Sequence, residues 1–240
     1  MECVSKGEAI GFYLLAYSKF QTLYKLMRTL FLRKCERILR SFPAKFVVLK
    51  QIAMTNMINV LRHITPLTDE DAAQILAITE SIELEKGDFW IEYGKTNDKV
   101  AFVEKGYLRK YYTKEGNEIT DFFYFKNDIS ADLPSIVGNF TPHANIVAMQ
   151  KTHLTTFDYH AFNELCATNP TLEHLHRLLI QQTFLRFYNR TMSFILETPK
   201  QRYEDLLVSD PKIIQGATQY HIASYLGISP QHLSRLRSEQ

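Results

Sequence analysis

Residues 99–128 read KVAFVEKGYLRKYYTKEGNEITDFFYFKND. Apolar and polar side chains follow a period of two through KVAFVEKGYLRKYYT and again through EITDFFYFKND, the pattern of strands with one buried face. Gly106 and Gly116 fall between the apolar runs, where a tight turn calls for positive φ without a Cβ penalty. The stretch therefore predicts antiparallel strands in series. The same pattern continues outward, through IELEKGDFWIEYG upstream and ANIVAMQ and HLTTFDY downstream, with Gly87 and Gly94 marking further turns. An antiparallel β domain, either a meander or a jelly roll, fills the middle of the chain.

Helical spacing brackets these strands. In TPLTDEDAAQILAIT, residues 65–79, Thr68 is placed to cap, acids fill the first turn and the apolar residues recur at helical intervals, so a short helix is expected. After the strands, NPTLEHLHRLLIQQTFLRFYNRTMSFIL, residues 169–196, predicts a long helix with Asn169 as its cap and Pro170 in its first turn. Leu178, Gln181, Leu185, Tyr188, Met192 and Ile195 follow a 3-4-3-4 spacing. Two helices pair through such a stripe, and a helix also uses one to pack on its own domain. TPKQRYEDLL then starts another helix with Pro199 in its first turn.

With 240 residues, 45 % of them apolar, the chain can bury a substantial core as one large domain or two modest ones. Cys3, Cys35 and Cys166 are too few and too scattered for a disulfide framework or a four-thiolate metal site, which points to a reducing cytoplasm. The formal charge is only +2, but residues 1–53 carry ten Lys and Arg against three Glu, a net +7 that leaves −5 for the rest. Within this leader GFYLLAYSKF is too short an apolar run for a secretory signal, and no small-residue cleavage site follows it. Lys19, Lys25 and Arg28 interrupt it before about 20 apolar residues accumulate, which excludes a membrane span. The leader, residues 1–57, reads either as a basic amphipathic helix lying on a partner or membrane surface or as the product of a misassigned start, with Met54 or Met57 as the true first residue.

The last stretch, Thr218 to Gln240, reads TQYHIASYLGISPQHLSRLRSEQ. Counted from Gln219, the apolar positions of a helix-turn-helix are held by Ile222, Leu226, Ile228, Leu233 and Leu236, all five expected to bury between two helices. Ala223 lets those helices cross closely, Gly227 supplies the left-handed turn residue, Ser229 can cap the second helix and Pro230 suits its first turn. The opposite face presents Ser229, Pro230, Gln231, Ser234, Arg235 and Ser238. Gln231 can pair with an adenine edge, and Arg235 with a guanine edge or a phosphate. Thr218, Gln219 and Arg237, with the helix amide ends, are candidates for backbone contacts that position without reading sequence. An ordinary helical hairpin with a solvated polar face is the alternative.

This order of elements resembles the Crp/Fnr superfamily, the cyclic-AMP receptor protein-like transcription regulators of bacteria. The resemblance covers roughly residues 58–240 and is carried by LEKGDFWIEYG, VAFVEKGYLRKYYTKEGNE and YHIASYLGISPQHLSRLR. It implies an α+β fold: a cyclic-nucleotide-binding-like β jelly roll as sensor over residues 58–168, a long dimerisation helix over 169–197 and a helix-turn-helix, winged-helix-like domain over 198–240. It also implies double-stranded DNA, a second copy of the chain and RNA polymerase as partners. In a dimer the 178–195 stripe would form the interface and set two recognition helices about 34 Å apart, one turn of duplex.

The ligand pocket departs from the family pattern. Nucleotide-binding members hold the ribose and cyclic phosphate with a Gly-Glu pair and an Arg-Ser or Arg-Thr some ten residues on. Here the segment is NDISADLPSIVGNFTPHANIVAMQ, which has neither, and no arginine occurs between Arg109 and Arg177. A buried phosphate needs a charge-assisted, preferably bidentate partner, so cyclic AMP is not expected. Asp132 and His143 lie near the family's ligand-contacting places and are read as loop residues without an assigned role. The three cysteines fall short of the four thiolates of an iron–sulfur cluster, while haem stays open through His153, His160, His174 or His176. His174 and His176 stand two apart on a helix and diverge. A metal-dependent cupin-like enzyme would need two histidines alternating along a strand, and no His-x-His occurs in the strand region. No catalytic residue, metal site or cofactor is expected, and the effector is unassigned. The alternative is a ligand-binding or partner-binding protein that uses this fold without DNA, a reading that the missing β-wing after Gln240 keeps open.

Overall fold

The computed structural model describes residues 56–238. The basic leader over residues 1–53 lies outside them. Residues 56–64 form a helix, α1, and α2 spans Asp69–Ala77. A reciprocal capping box starts α2: Thr68 Oγ1 accepts from the Asp71 N–H at 3.1 Å, and Asp71 accepts from the Thr68 N–H at 2.9 Å.

Eight strands follow: β1 (Thr79–Leu84), β2 (Phe89–Ile91), β3 (Lys99–Lys105), β4 (Leu108–Lys114), β5 (Asn117–Tyr124), β6 (Ile129–Ser130), β7 (Asn145–Ala148) and β8 (Thr152–Asp158). They form two antiparallel four-stranded sheets, ordered β1-β8-β3-β6 and β2-β7-β4-β5. Pairing of the first strand with the last is the wrap of a jelly roll, which decides between the two arrangements the strand pattern allowed. Ala101, Val103, Leu108, Ile146 and Leu154 fill the space between the sheets. Gly106 is the tightest turn, with φ of +88°, and a Cβ there would stand 2.4 Å from Thr152 Oγ1 and 2.8 Å from the Lys151 carbonyl.

Besides α1, two helices between and after the strands sit where no helix was expected. The segment after β6 carries α3 (Leu133–Gly138). Strand β8 ends at Asp158, whose carboxylate accepts from the Ala161 N–H at 2.9 Å and starts α4 (Tyr159–Thr168), so HLTTFDY is a strand only up to that residue. Phe102 on the outer face of β3 meets Met57, Leu61 and Ile75 of the first helices and Leu172 and Leu175 of the next, forming a second core.

The long helix α5 runs over Pro170–Leu196, and Asn169 Oδ1 accepts from the N–H groups of Thr171 and Leu172. After its first two turns it leaves the core, and every residue from 181 to 189 is exposed. Four short helices complete the chain: α6 (Pro199–Ser209), α7 (Pro211–Gly216), α8 (Gln219–Leu226) and α9 (Pro230–Ser238). Among the described residues no helix is long and apolar enough to cross a membrane.

Candidate functional site

The last two helices are locked together by the residues whose spacing singled them out. Ile222, Ala223, Leu226, Leu233 and Leu236 are buried in one cluster. Ile228, expected to bury with them, is half-buried, because it sits on the turn and packs on the cluster from its edge. Gly227 adopts the left-handed region at φ 71°, ψ 32°, and its N–H bonds back to the end of α8. Ser229 Oγ accepts from the His232 N–H at 3.1 Å, capping α9.

On the opposite face Gln231, Ser234, Arg235 and Ser238 are exposed in a row along α9, with Arg237 and Ser229 exposed beside them and Pro230 partly covered. Thr218 caps α8 by accepting from the His221 N–H at 3.3 Å. Gln219 is exposed, but its side-chain amide donates to the Pro230 carbonyl at 3.2 Å and so ties the start of α8 to the start of α9. The amide ends of α8 and α9 carry the partial positive charge that suits anions.

This two-helix unit closes the open edge of the β roll. Strand β5 ends its sheet, paired only with β4. Ser224 on α8 takes the place of a further strand: its hydroxyl accepts from the Thr120 N–H at 2.9 Å and donates to the Glu118 carbonyl at 3.0 Å. Tyr107 OH donates to the Gly216 carbonyl at 3.0 Å. Arg190 on α5 donates to the carbonyls of Thr120 and Tyr225, at 3.2 and 2.8 Å, with its guanidinium 3.7 Å from the centre of the Tyr225 ring. Three elements thus meet on one arginine. Its burial holds the Arg190 pKa below the ordinary arginine range. His221 sits at the same junction, its Nδ1 buried without a hydrogen-bond partner; burial and the nearby Arg109 hold its pKa below the usual histidine value against the pull of Glu118.

A cavity of about 630 Å³ lies between the roll, α3, α4 and α5. Val100, Ile129, Phe157, Phe162, Leu179 and Ile180 give it apolar walls, with Leu133, Pro134 and Val137 of α3 on one side and Phe184 and Phe187 of α5 on another. Lys110, Asp121, Tyr112, Tyr124, Tyr159, Thr183, His176 and Arg186 contribute its polar groups. Lys110 Nζ is 3.0 Å from Asp132 and 3.7 Å from Asp121. Burial favours the neutral amine, yet Tyr124 and these carboxylates hold the Lys110 pKa above its ordinary range, so it is an ammonium. Burial pushes the Tyr124 phenol up to about 12, so it keeps its proton at neutral pH. Tyr159 OH and His176 Nε2 are 3.3 Å apart, and burial holds the His176 pKa low.

Residues 81–169 match the family model of the cyclic nucleotide-binding domain. No curated protein matches the sequence. Solved structures share the fold, three of them as follows. A CooA mutant from Carboxydothermus hydrogenoformans is 18 % identical, with a TM-score of 0.55 over 69 % of this chain and 77 % of that one. The c-di-GMP responsive global regulator CLP of Xanthomonas campestris is 11 % identical, with a TM-score of 0.57 over 72 % and 91 %. A structure from Eubacterium rectale assigned to Crp/Fnr-type transcriptional regulators is 19 % identical, with a TM-score of 0.57 over 75 % and 87 %. At these identities the neighbours share the fold with this chain.

Within the matched segment, His143 is exposed and packs edge-on against Tyr93 and Phe140, away from the cavity. Asp132, read from sequence as a loop residue, is instead buried at the start of α3, backing Lys110. For Asp132 a sequence signal was present: it is a charge set between Ala131 and Leu133. On α5 the structure turns Gln181, Leu185, Tyr188 and Ile195 to solvent, with Leu178 and Met192 half-buried. Spacing passed over Arg190, whose partners lie far away in sequence. Among the described residues no group of His, Cys, Asp and Glu could hold a metal ion.

Proposed function

We propose that the chain is a homodimeric transcription regulator: the β roll senses an effector, α5 pairs two copies, and the C-terminal helix-turn-helix reads double-stranded DNA. The observation that carries this reading is the division of α9 into two faces. Leu233 and Leu236 anchor one face, and Gln231, Ser234 and Arg235 stand free on the other, at the spacing a recognition helix uses in a major groove. Gln231 and Arg235 are assigned to base edges, and Thr218, Gln219 and Arg237 to the phosphate backbone. Phe184, Leu185, Phe187, Tyr188, Ile195 and Leu196 are exposed on α5, more apolar surface than one helix of a monomer leaves uncovered, and this favours pairing with a second copy. RNA polymerase in a cytoplasmic setting is the further partner of this reading. It assigns no enzymatic step.

The test is fluorescence anisotropy on genomic DNA fragments. Wild type is expected to bind with an affinity that falls steeply with salt, and Arg235→Ala to lose about 1–3 kcal/mol at selected sites. Equal and salt-insensitive binding by the two proteins, or binding by neither, removes the assignment.

A further inference from the structure

We infer that the cavity beside α5 receives an uncharged, largely apolar, ring-bearing small molecule rather than a nucleotide. The inference deepens the sensor role proposed above and rests on it for its biological meaning. Its volume of about 630 Å³ lies within the range of pockets that enclose a drug-sized ligand. Phe122, Phe157, Phe162, Phe184 and Phe187 line it with ring faces and edges, surfaces that pack well on other rings.

Charge decides the class. Three formally charged side chains border the space, Lys110, Asp121 and Arg186, and each already has a partner. Lys110 faces Asp132 and Asp121. Arg186 faces Asp128 at 3.7 Å and lies over the Phe122 ring at 5.5 Å. Asp121 is shared with Arg190 at 3.6 Å. The cluster holds three cations and three carboxylates, so it is neutral, and an anionic ligand would have to break an existing pair, the buried one of Lys110 with Asp132 or the partly exposed one of Arg186 with Asp128, to gain a cation of its own. A neutral ligand breaks none. The phenols of Tyr112 and Tyr124 can orient one or two polar atoms on it, and Tyr159, beside His176, and Thr183, which donates to the Leu179 carbonyl at 2.9 Å, keep lone pairs to accept from it.

The experiment titrates the full-length protein with N-phenyl-1-naphthylamine, an uncharged two-ring fluorophore, with cyclic AMP and cyclic di-GMP as competitors. The expected result is saturable binding at one site per chain, not displaced by a hundredfold excess of either nucleotide. Two variants fill the space: Leu179→Trp on α5, and Val137→Trp, which sits at an exposed position of α3 and leaves the core untouched. At least the folded one of the pair, checked by circular dichroism and melting, should lose tenfold or more in probe affinity. Displacement by a cyclic nucleotide, absence of saturable binding, or unchanged affinity in folded Val137→Trp overturns the inference. No DNA enters this titration. A chain that binds DNA and not the probe loses the cavity assignment alone, and one that binds the probe and not DNA loses the regulator reading alone.

Discussion

Arg190 on α5 and Asp121 on β5 approach to 3.6 Å, and the same carboxylate lies 3.7 Å from the Lys110 ammonium. One acid at the wall of the cavity is thus shared between the lysine of that cavity and the arginine that holds the end of α8. Two side chains, Asp121 and Arg190, thus connect the cavity wall to Tyr225 of the two-helix unit.

Arg190→Ala removes two hydrogen bonds and the stacking on Tyr225 while Asp121 keeps Lys110. The loss is expected to be about 2–3 kcal/mol, somewhat below that of orphaning a buried charge, which corresponds to a melting temperature lower by roughly 5–10 °C. Limited proteolysis should release the segment after α5 faster than in wild type. Unchanged melting and an unchanged cleavage pattern would show that Arg190 does not hold the unit.

Asp132→Asn keeps the shape of its site but removes one of the two carboxylates facing Lys110. The cavity then gains a net positive charge. At an effective dielectric constant near 20, a unit charge about 5 Å away is worth about 3 kcal/mol, so an anionic probe should gain tenfold or more over a neutral one. Anilinonaphthalene sulfonate titrated beside N-phenyl-1-naphthylamine reads the ratio directly. A ratio equal to that of wild type would mean that Asp132 does not set the charge of the site.

Protonation of His221 should loosen the contact between α8 and the roll. Burial and Arg109 lower its folded pKa below the unfolded value near 6.5, so the neutral ring is the form that folding favours. Its contribution is complete above about pH 6.5 and is lost as the pH falls through the lower folded value. The melting temperature should decline between pH 7.5 and 5.5, and His221→Gln should flatten that decline. His176, held low by burial as well, accounts for the part that persists. Parallel pH profiles for the variant and wild type would refute the role given to His221.

Gly227→Ala forces a side chain into the left-handed region, at a cost of about 1–2 kcal/mol. Its Cβ would also come within 2.7 Å of the Phe194 ring, which must swing aside. Melting should fall by about 3–8 °C, and the angle between α8 and α9 should change enough to weaken DNA binding. A variant with full stability and full affinity would show that the turn tolerates another geometry.

The elements that could be read from residues alone are those specified over short distances. Thr68 with Asp71, Asn169 with Pro170, and Ser229 with Pro230 each begin a helix through atoms no more than three residues apart. Period-two alternation placed every strand but the two-residue β6, and the left-handed turn at Gly227 followed from its position between two apolar helices. The short helices α1, α3, α4 and α7 escaped the same reading. Ser135 and Ile136 of α3 fit a loop as well as a helix, and α4 follows a strand with only Asp158 to mark the change.

The candidate site divides along the same line. Gln231, Ser234 and Arg235 share a face because a helix repeats every 3.6 residues, and no other part of the chain is needed to align them. The pairing of Lys110 with Asp132 spans 22 residues, the hold of Arg190 on Thr120 spans 70, and the bond from Thr120 to Ser224 spans 104. Such contacts carry no periodic trace, since they arise where the wrap of the roll, the exit angle of α5 and the open edge of β5 bring distant segments together. Chain-local hydrogen bonding and side-chain periodicity therefore suffice for the strands, most of the helix starts and the polar face of α9. The neutral charge cluster of the cavity and the seat of α8 on β5 exist through packing.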